Sequence, residues 1–261
     1  MDNPVVSEWL NLIFRWAHVV AGVMWIGHLW FFNFVNAQLA KTYDADSKKK
    51  VIPELMPRAL YWFRWGAAWT WITGVLLLGI IYTMGTGFMR EGSTLSNGAG
   101  TGVAFALLIG GFLVYDLLWK SPIKANPTAG AIVSLLLLAV AGYLLDRLYA
   151  ARSVYILLGG LLGTIMAANV WMRIWPSQRR IIAAIKGGEA PDPAIVALAG
   201  LRSKHNTYMS VPLMFLMVSN HFPGVYGMSN GWAVAVALVA VSFGFTMFLY
   251  SKSASAAPAR Y

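Results

Sequence analysis

The sequence predicts an all-α integral membrane protein, a bundle of about seven transmembrane helices, and three observations lead to this prediction. Of the 261 residues, 58% are hydrophobic and only 11% are charged, against the roughly 25% charged residues of soluble domains. The apolar residues form runs long enough for a helix of about 20 residues to cross a bilayer. The chain has no cysteine, which excludes disulfides, thiolate metal sites and a covalent c-type haem.

Seven apolar runs follow one another as predicted spans. The first follows Asp2 and Glu8 without a basic leader, so we expect a retained span rather than a cleaved signal peptide. The sixth extends back to about Leu201 through polar residues. Residues 1–251 are expected to form a single polytopic domain, and the small and polar residues 252–261 a disordered tail. The runs are Leu10–Asn36, Leu60–Met84, Gly100–Trp119, Thr128–Leu145, Val154–Trp175, Thr207–Phe222 and Trp232–Tyr250.

Two connecting segments, 37–59 and 176–204, are predicted to be partly helical. In the first, Lys48-Lys49-Lys50 precedes Val51, Ile52, Leu55 and Met56, a pattern typical of an amphipathic turn at the headgroups. In the second, a basic stretch ends at Gly187-Gly188, and Pro191-Asp192-Pro193 begins another short helix.

The positions of Lys and Arg predict the orientation. With the N-terminus outside, the outer loops receive only Arg90, Arg147 and Arg152, and nearly all other basic residues lie inside. This asymmetry follows the positive-inside rule and places the C-terminus in the cytoplasm. The net charge of +10 is then a topology signal, and we expect no nucleic-acid partner. The expected location is the bacterial inner (cytoplasmic) membrane, with the lipid bilayer as surroundings.

All four histidines lie in or at the ends of the first and sixth runs, where a histidine is costly and suggests function. His18, Gly22 and Trp25 share one helix face. The glycine leaves room for a flat macrocycle and the tryptophan offers an edge to pack on. We therefore predict a non-covalent haem b, one or two per chain, with His18 as the first axial ligand. Arg15, one turn earlier, would meet a haem propionate or pair with Glu8.

His28, His205 and His221 are the candidate partner ligands. His28 lies about 15 Å deeper than His18 and is rotated from it by roughly 80° on a regular helix. The sixth span runs in the opposite direction, so depth pairs His18 with His221 and His28 with His205. The alternative is that these histidines only form hydrogen bonds between helices.

A cationic and amide cluster, Arg202-x-Lys204-His205-Asn206, begins the sixth span. Two charges and an amide that converge would bind an anionic heterocycle or a haem propionate. The alternative for Arg202 and Lys204 is simple anchoring at the inner surface.

Three stretches carry a resemblance to a known family. They are Arg15-Trp16-x-His18…Gly22…Trp25-Ile26-Gly27, Trp62-Phe63-x-Trp65…Thr70-Trp71-x-x-Gly74, and Arg202-x-Lys204-His205-Asn206-x-Tyr208…Pro212…Ser219-Asn220-His221-Phe222-Pro223. Together they resemble the membrane (N-terminal) domain of the bacterial cytochrome-c-linked urate oxidases, here expected in a stand-alone form without the cytochrome c domain. The resemblance implies oxidation of urate to 5-hydroxyisourate, with electrons passed to a c-type haem. It departs at Gly66, where the family motif carries an acidic residue.

The leading hypothesis is therefore a membrane-bound b-haem redox protein. In its enzymatic form, an oxidoreductase, Arg202, Lys204, His205 and Asn206 bind urate or a similar heterocycle, and His205 and Asn206 are the catalytic candidates. A separate c-type cytochrome or a respiratory complex accepts the electrons. The alternative is a non-catalytic accessory or electron-relay subunit of a larger respiratory or oxygenase complex. Transport of a small anion or metal is a third hypothesis.

Overall fold

In the computed structural model, which describes residues 4–85 and 87–255, helices dominate and no strand is present within those ranges. A single isolated bridge joins Met89 and Tyr149. Asp2 and residues 256–261 lie outside the described part. The long helices are α1 (Pro4–Leu39), α2 (Ala45–Thr83), α3 (Asn97–Leu118), α4 (Pro127–Leu148), α5 (Ala151–Lys186), α6 (Pro193–Ser219) and α7 (Gly231–Ser255). The predicted all-α class is confirmed for the described residues.

Six of these helices, all except α6, are long and apolar enough to cross a membrane. The chain is accordingly a multi-pass membrane protein. The seventh predicted span, Thr207–Phe222, is not confirmed, because α6 combines its apolar residues with Arg202, Lys204, one amide and several hydroxyls. Its helix also ends at Ser219, and Asn220 and His221 form a turn ahead of Pro223, where proline disfavours a helical residue before it.

Several helices are longer than the predicted spans. Helix α2 begins at Ala45, where the Asp44 carboxylate accepts a hydrogen bond of 2.7 Å from the Ser47 N–H. This bond lowers the pKa of the exposed Asp44, because it stabilises the charged form. Helix α5 continues to Lys186 and ends at Gly187-Gly188, where Gly188 has φ +78° as helix C-termini commonly require.

The predicted tail requires one correction. Helix α7 continues through Ser255, and the Ser253 hydroxyl donates to the Phe34 carbonyl on α1 at 2.5 Å. The first four residues of the predicted tail are therefore helical.

The chain divides into two compact units. Unit 1 comprises Met1–Trp16, Ile72–Ile165 and Val211–Ser242, and unit 2 comprises Ala17–Trp71, Met166–Ser210 and Phe243–Tyr261. Helices α3 and α4 belong wholly to unit 1, whereas the other five contribute to both. Of the predicted site residues, Arg15 and His221 belong to unit 1 and the others to unit 2.

Within unit 2, helices α1 and α2 are in close backbone contact at Gly66. A Cβ at this glycine would lie 3.0 Å from the Trp25 backbone nitrogen and 3.3 Å from the Ala21 carbonyl oxygen. Backbone atoms of a helix cannot shift as a flexible side chain can, so only glycine fits at this position. The acidic residue of the family motif would require the two helices to separate here.

We expect Gly66→Ala to destabilise the protein by about 1–3 kcal/mol, because the added methyl overpacks the helix contact. Thermal unfolding in detergent measures this change. The matched control is Gly27→Ala, since a Cβ at Gly27 meets nothing within 4 Å and alanine favours the helix. Equal melting temperatures for the two variants would contradict the close contact.

Candidate functional site

One face of α6 in unit 2 carries a row of fully buried polar side chains. Arg202, Asn206 and Ser210 follow at intervals of four residues and thus share a face, and Thr207 lies beside them. All four are 0% exposed. Polar groups buried in a membrane helix are expensive and are usually bonded to one another or functional.

Asn206 joins α6 to α5. Its Nδ2 donates to the Met166 carbonyl at 2.9 Å, and its Oδ1 accepts from Asn169 Nδ2 at 2.9 Å. The predicted catalytic amide is thus engaged by the neighbouring helix through one donor and one acceptor. This geometry supports a role for Asn206 in positioning α6.

Asn33 and Trp30 join α6 to α1. Asn33 Nδ2 donates to Ser203 Oγ at 2.9 Å, and Asn33 Oδ1 accepts from the Tyr250 hydroxyl of α7 at 3.1 Å. Trp30 Nε1 donates to Ser210 Oγ at 2.9 Å. Sequence reasoning missed Asn33 and Asn169 as members of this network. The available signal was an amide inside an apolar run.

The predicted cationic cluster is only partly assembled. Arg202 is completely buried, whereas Lys204 is exposed and its Nζ lies 5.8 Å from the ring centre of Tyr250. Residues two apart on a helix point to different sides, so the two charges do not converge as predicted. His205 is half-buried and lies within electrostatic reach of both. The buried part of the cluster is therefore Arg202 with Asn206, flanked by His205.

The predicted haem face of α1 packs directly on α2. The His18 imidazole hydrogen-bonds to the Thr70 backbone, and a Cβ at Gly22 would lie 3.9 Å from the Thr70 methyl. The Thr70 hydroxyl itself donates to the Gly66 carbonyl at 2.7 Å. Gly22 thus lies at ordinary van der Waals distance from α2. The haem-binding roles of His18, Gly22 and Trp25 stay predictions.

Trp25 is the most buried aromatic residue of that face. Only 1% of it is exposed, and its Nε1 has no hydrogen-bond partner within the described part of the chain. Its backbone is the surface against which Gly66 packs. Trp25 therefore packs against α2, whereas the sequence predicted that a haem would pack against its ring.

His28 lies on another side of α1. Its Nδ1 is 2.7 Å from the Met24 carbonyl oxygen. At 100° per residue, Trp30, whose indole donates to Ser210 of α6, is roughly 200° away from it. The pairing of His28 with His205 stays a prediction.

The predicted site residues of unit 1 lie near a separate polar group. Arg15 Nε donates to Asn11 Oδ1 at 2.6 Å. The buried Asn220 accepts from the Tyr82 hydroxyl and from Arg152 Nε, each at 2.6 Å, while the neighbouring His221 is exposed. Sequence reasoning missed Asn220 and Tyr82, which lie 138 positions apart. The ligand roles of Arg15 and His221 stay predictions.

No group of three or more His, Asp or Glu side chains suited to a metal ion occurs among residues 4–85 and 87–255. The sequence pattern of the family described as urate oxidase N-terminal matches residues 4–50 and 43–260. No curated protein and no solved structure matches the chain.

We expect Asn206→Leu to lower the free energy of unfolding by about 1–3 kcal/mol, because it leaves the Met166 carbonyl and the Asn169 amide without their bonds. The double variant Asn169→Leu/Asn206→Leu should cost less than the sum of the two single changes. Thermal unfolding in detergent measures both. The exposed Asn97, changed to Leu, is the control, and additive effects would argue against a shared hydrogen bond.

Proposed function

The chain belongs to the urate oxidase N-terminal family, and we propose from this that it is a membrane-bound oxidoreductase. It oxidises urate or a similar small heterocycle and passes the electrons to a separate c-type cytochrome or respiratory complex. We place it in the bacterial inner membrane, with its N-terminus outside and its C-terminus in the cytoplasm. The family membership carries the proposal, and the buried polar face of α6 supports it.

Oxidation of urate requires a binding site for an anion that has many hydrogen-bonding groups. Urate is singly charged at neutral pH, and a guanidinium binds such a planar anion through two parallel hydrogen bonds. Arg202 supplies this group in a low-dielectric surrounding, where the attraction is stronger than in water. Asn206 and its bonds to α5 hold the helix turn that carries Arg202.

The reaction balances without an oxygen molecule. Urate and water give 5-hydroxyisourate, two electrons and two protons. A water oxygen forms the new bond to the ring carbon, and the electrons leave to the acceptor. His205 is the group we assign to proton acceptance from that water, since it flanks Arg202. Burial and the charges of Arg202 and Lys204 lower the pKa of His205 to about 3, and an anionic substrate beside the imidazole would raise it.

Haem b is the cofactor we propose for electron transfer, and it would supply one-electron steps between substrate and acceptor. We propose His18 as its axial donor, since His205 is assigned to the substrate proton. A pyridine-haemochrome spectrum with iron quantified per chain tests this. A b-type signal supports the redox proposal, and a chain free of haem and iron overturns the haem assignment.

The packing of α2 against the His18 side of α1 favours a second candidate function, that of a non-catalytic accessory or electron-relay subunit. A protein in this role needs packed helices and partner surfaces rather than an open substrate site. Co-purification with oxidase subunits, together with absent urate binding, would favour it over the enzymatic role.

We expect Arg202→Met to weaken urate binding about 10- to 100-fold, because a charged hydrogen-bond donor contributes roughly 1.5–3 kcal/mol. Methionine keeps the length of the side chain, and an apolar replacement of a buried charge is often tolerated. Equilibrium dialysis with labelled urate measures the dissociation constant. Urate-dependent reduction of added cytochrome c measures turnover.

Lys204→Met is the matched control, since this exposed lysine lies two residues away, and its effect should stay within about threefold. No loss in Arg202→Met, or an equal loss in Lys204→Met, would show that Arg202 is not the specific urate-binding group.

A further inference from the structure

An open groove of about 470 Å³ lies between α1 and α2 in unit 2. Its volume is within the usual range of small-ligand sites, roughly 300–1,000 Å³. Its surface is mainly apolar. The lining includes Val23, Gly27, His28 and Phe31 of α1 and Leu55 and Ala59 of α2.

His28 supplies the only side-chain nitrogen in this lining. A backbone carbonyl can only accept, so the 2.7 Å contact with the Met24 oxygen requires that Nδ1 carries the hydrogen. In the neutral imidazole, Nε2 is then the acceptor. The groove thus combines an apolar wall with one fixed hydrogen-bond acceptor.

The groove opens toward the outer surface of the helix pair. Val23 is 69% exposed, Gly27 is exposed, and a Cβ at Gly27 would meet nothing within 4 Å. These residues belong to a helix that is long and apolar enough to cross a membrane, so we expect this exposed surface to face lipid, near the predicted headgroup segment that carries Leu55. A histidine in contact with the lipid phase is costly and indicates a function.

We propose that this groove binds the ring of a lipid-soluble quinol, whose hydroxyl donates to His28 Nε2. An isoprenoid quinol can reach the groove through the bilayer. Its ring packs against the apolar wall, and its hydroxyl donates the hydrogen bond that His28 Nε2 accepts. A lipid acyl chain has no group that can donate a hydrogen bond to the histidine.

This inference rests on the proposed function and names a quinone, in place of a cytochrome, as the electron acceptor. A quinone takes up two electrons and two protons to form the quinol. These are the numbers released when urate and water give 5-hydroxyisourate. The overall change is therefore urate, water and quinone to 5-hydroxyisourate and quinol. Quinone binding itself does not require urate chemistry, so the two proposals fail independently.

The test uses the full chain in phosphatidylcholine nanodiscs with an azido-substituted short-chain ubiquinone as photoaffinity probe. Cross-links should map to the α1 segment 23–31, and decylubiquinol should compete for them. His28→Leu should weaken the competing affinity about tenfold, as expected for a lost hydrogen bond in an apolar groove. Gly27→Leu should abolish labelling, because its side chain fills the groove.

The control for Gly27→Leu is Gly244→Leu, an exposed glycine of α7 that also has nothing within 4 Å of its Cβ position. Its labelling should equal that of the parent chain. Cross-links outside the groove would overturn the proposal. Unchanged affinity in His28→Leu, or equal competition by decanol, would instead identify an ordinary acyl chain as the occupant.

Discussion

The need to bond buried polar atoms governs the placement of α6 more than any other constraint. Within a hydrocarbon layer no water is available to replace a missing partner, and each unpaired group costs several kcal/mol. Helix α6 carries the most buried polar side chains among the described helices, and two of them bond to other helices: Asn206 to Asn169 of α5 and Ser210 to Trp30 of α1. Side-chain hydrogen bonds therefore fix the position and rotation of α6, and with them the place of Arg202.

Helix α1 has two contrasting sides, and Gly66 explains the difference. Because this glycine allows backbone contact at Trp25, α2 seals the side of α1 that carries His18. On the side that carries His28, α1 and α2 pack less closely and an open groove lies between them. Two histidines ten residues apart on one helix thus have different surroundings. His18 is held by a backbone hydrogen bond between helices, while His28 keeps one ring nitrogen available to a ligand.

Sequence patterns predicted the helical class because long apolar runs in a chain with few charges leave few alternatives. They did not predict the length of α2 and α5, since amphipathic segments at membrane surfaces extend a helix without extending its apolar run. The pairing of His28 with His205 considered depth alone and stays a prediction. The divergence of Arg202 and Lys204 follows from the rotation of 100° per residue along a helix and was predictable. The partners of Asn206 and Asn220 were not, because distant segments supply them and only the packing of helices identifies them.

The arrangement of unit 2 gives the proposed substrate and acceptor different routes. Arg202 lies on a helix whose polar residues face other helices, and an anionic substrate must approach it through polar surroundings. The groove at His28 is apolar and open, which suits an apolar carrier. Trp30, two residues from His28, donates to Ser210 of α6, so α1 adjoins both proposed sites. If both proposals hold, a charged substrate and a lipid-soluble oxidant reach the protein from different surroundings, as a membrane setting allows.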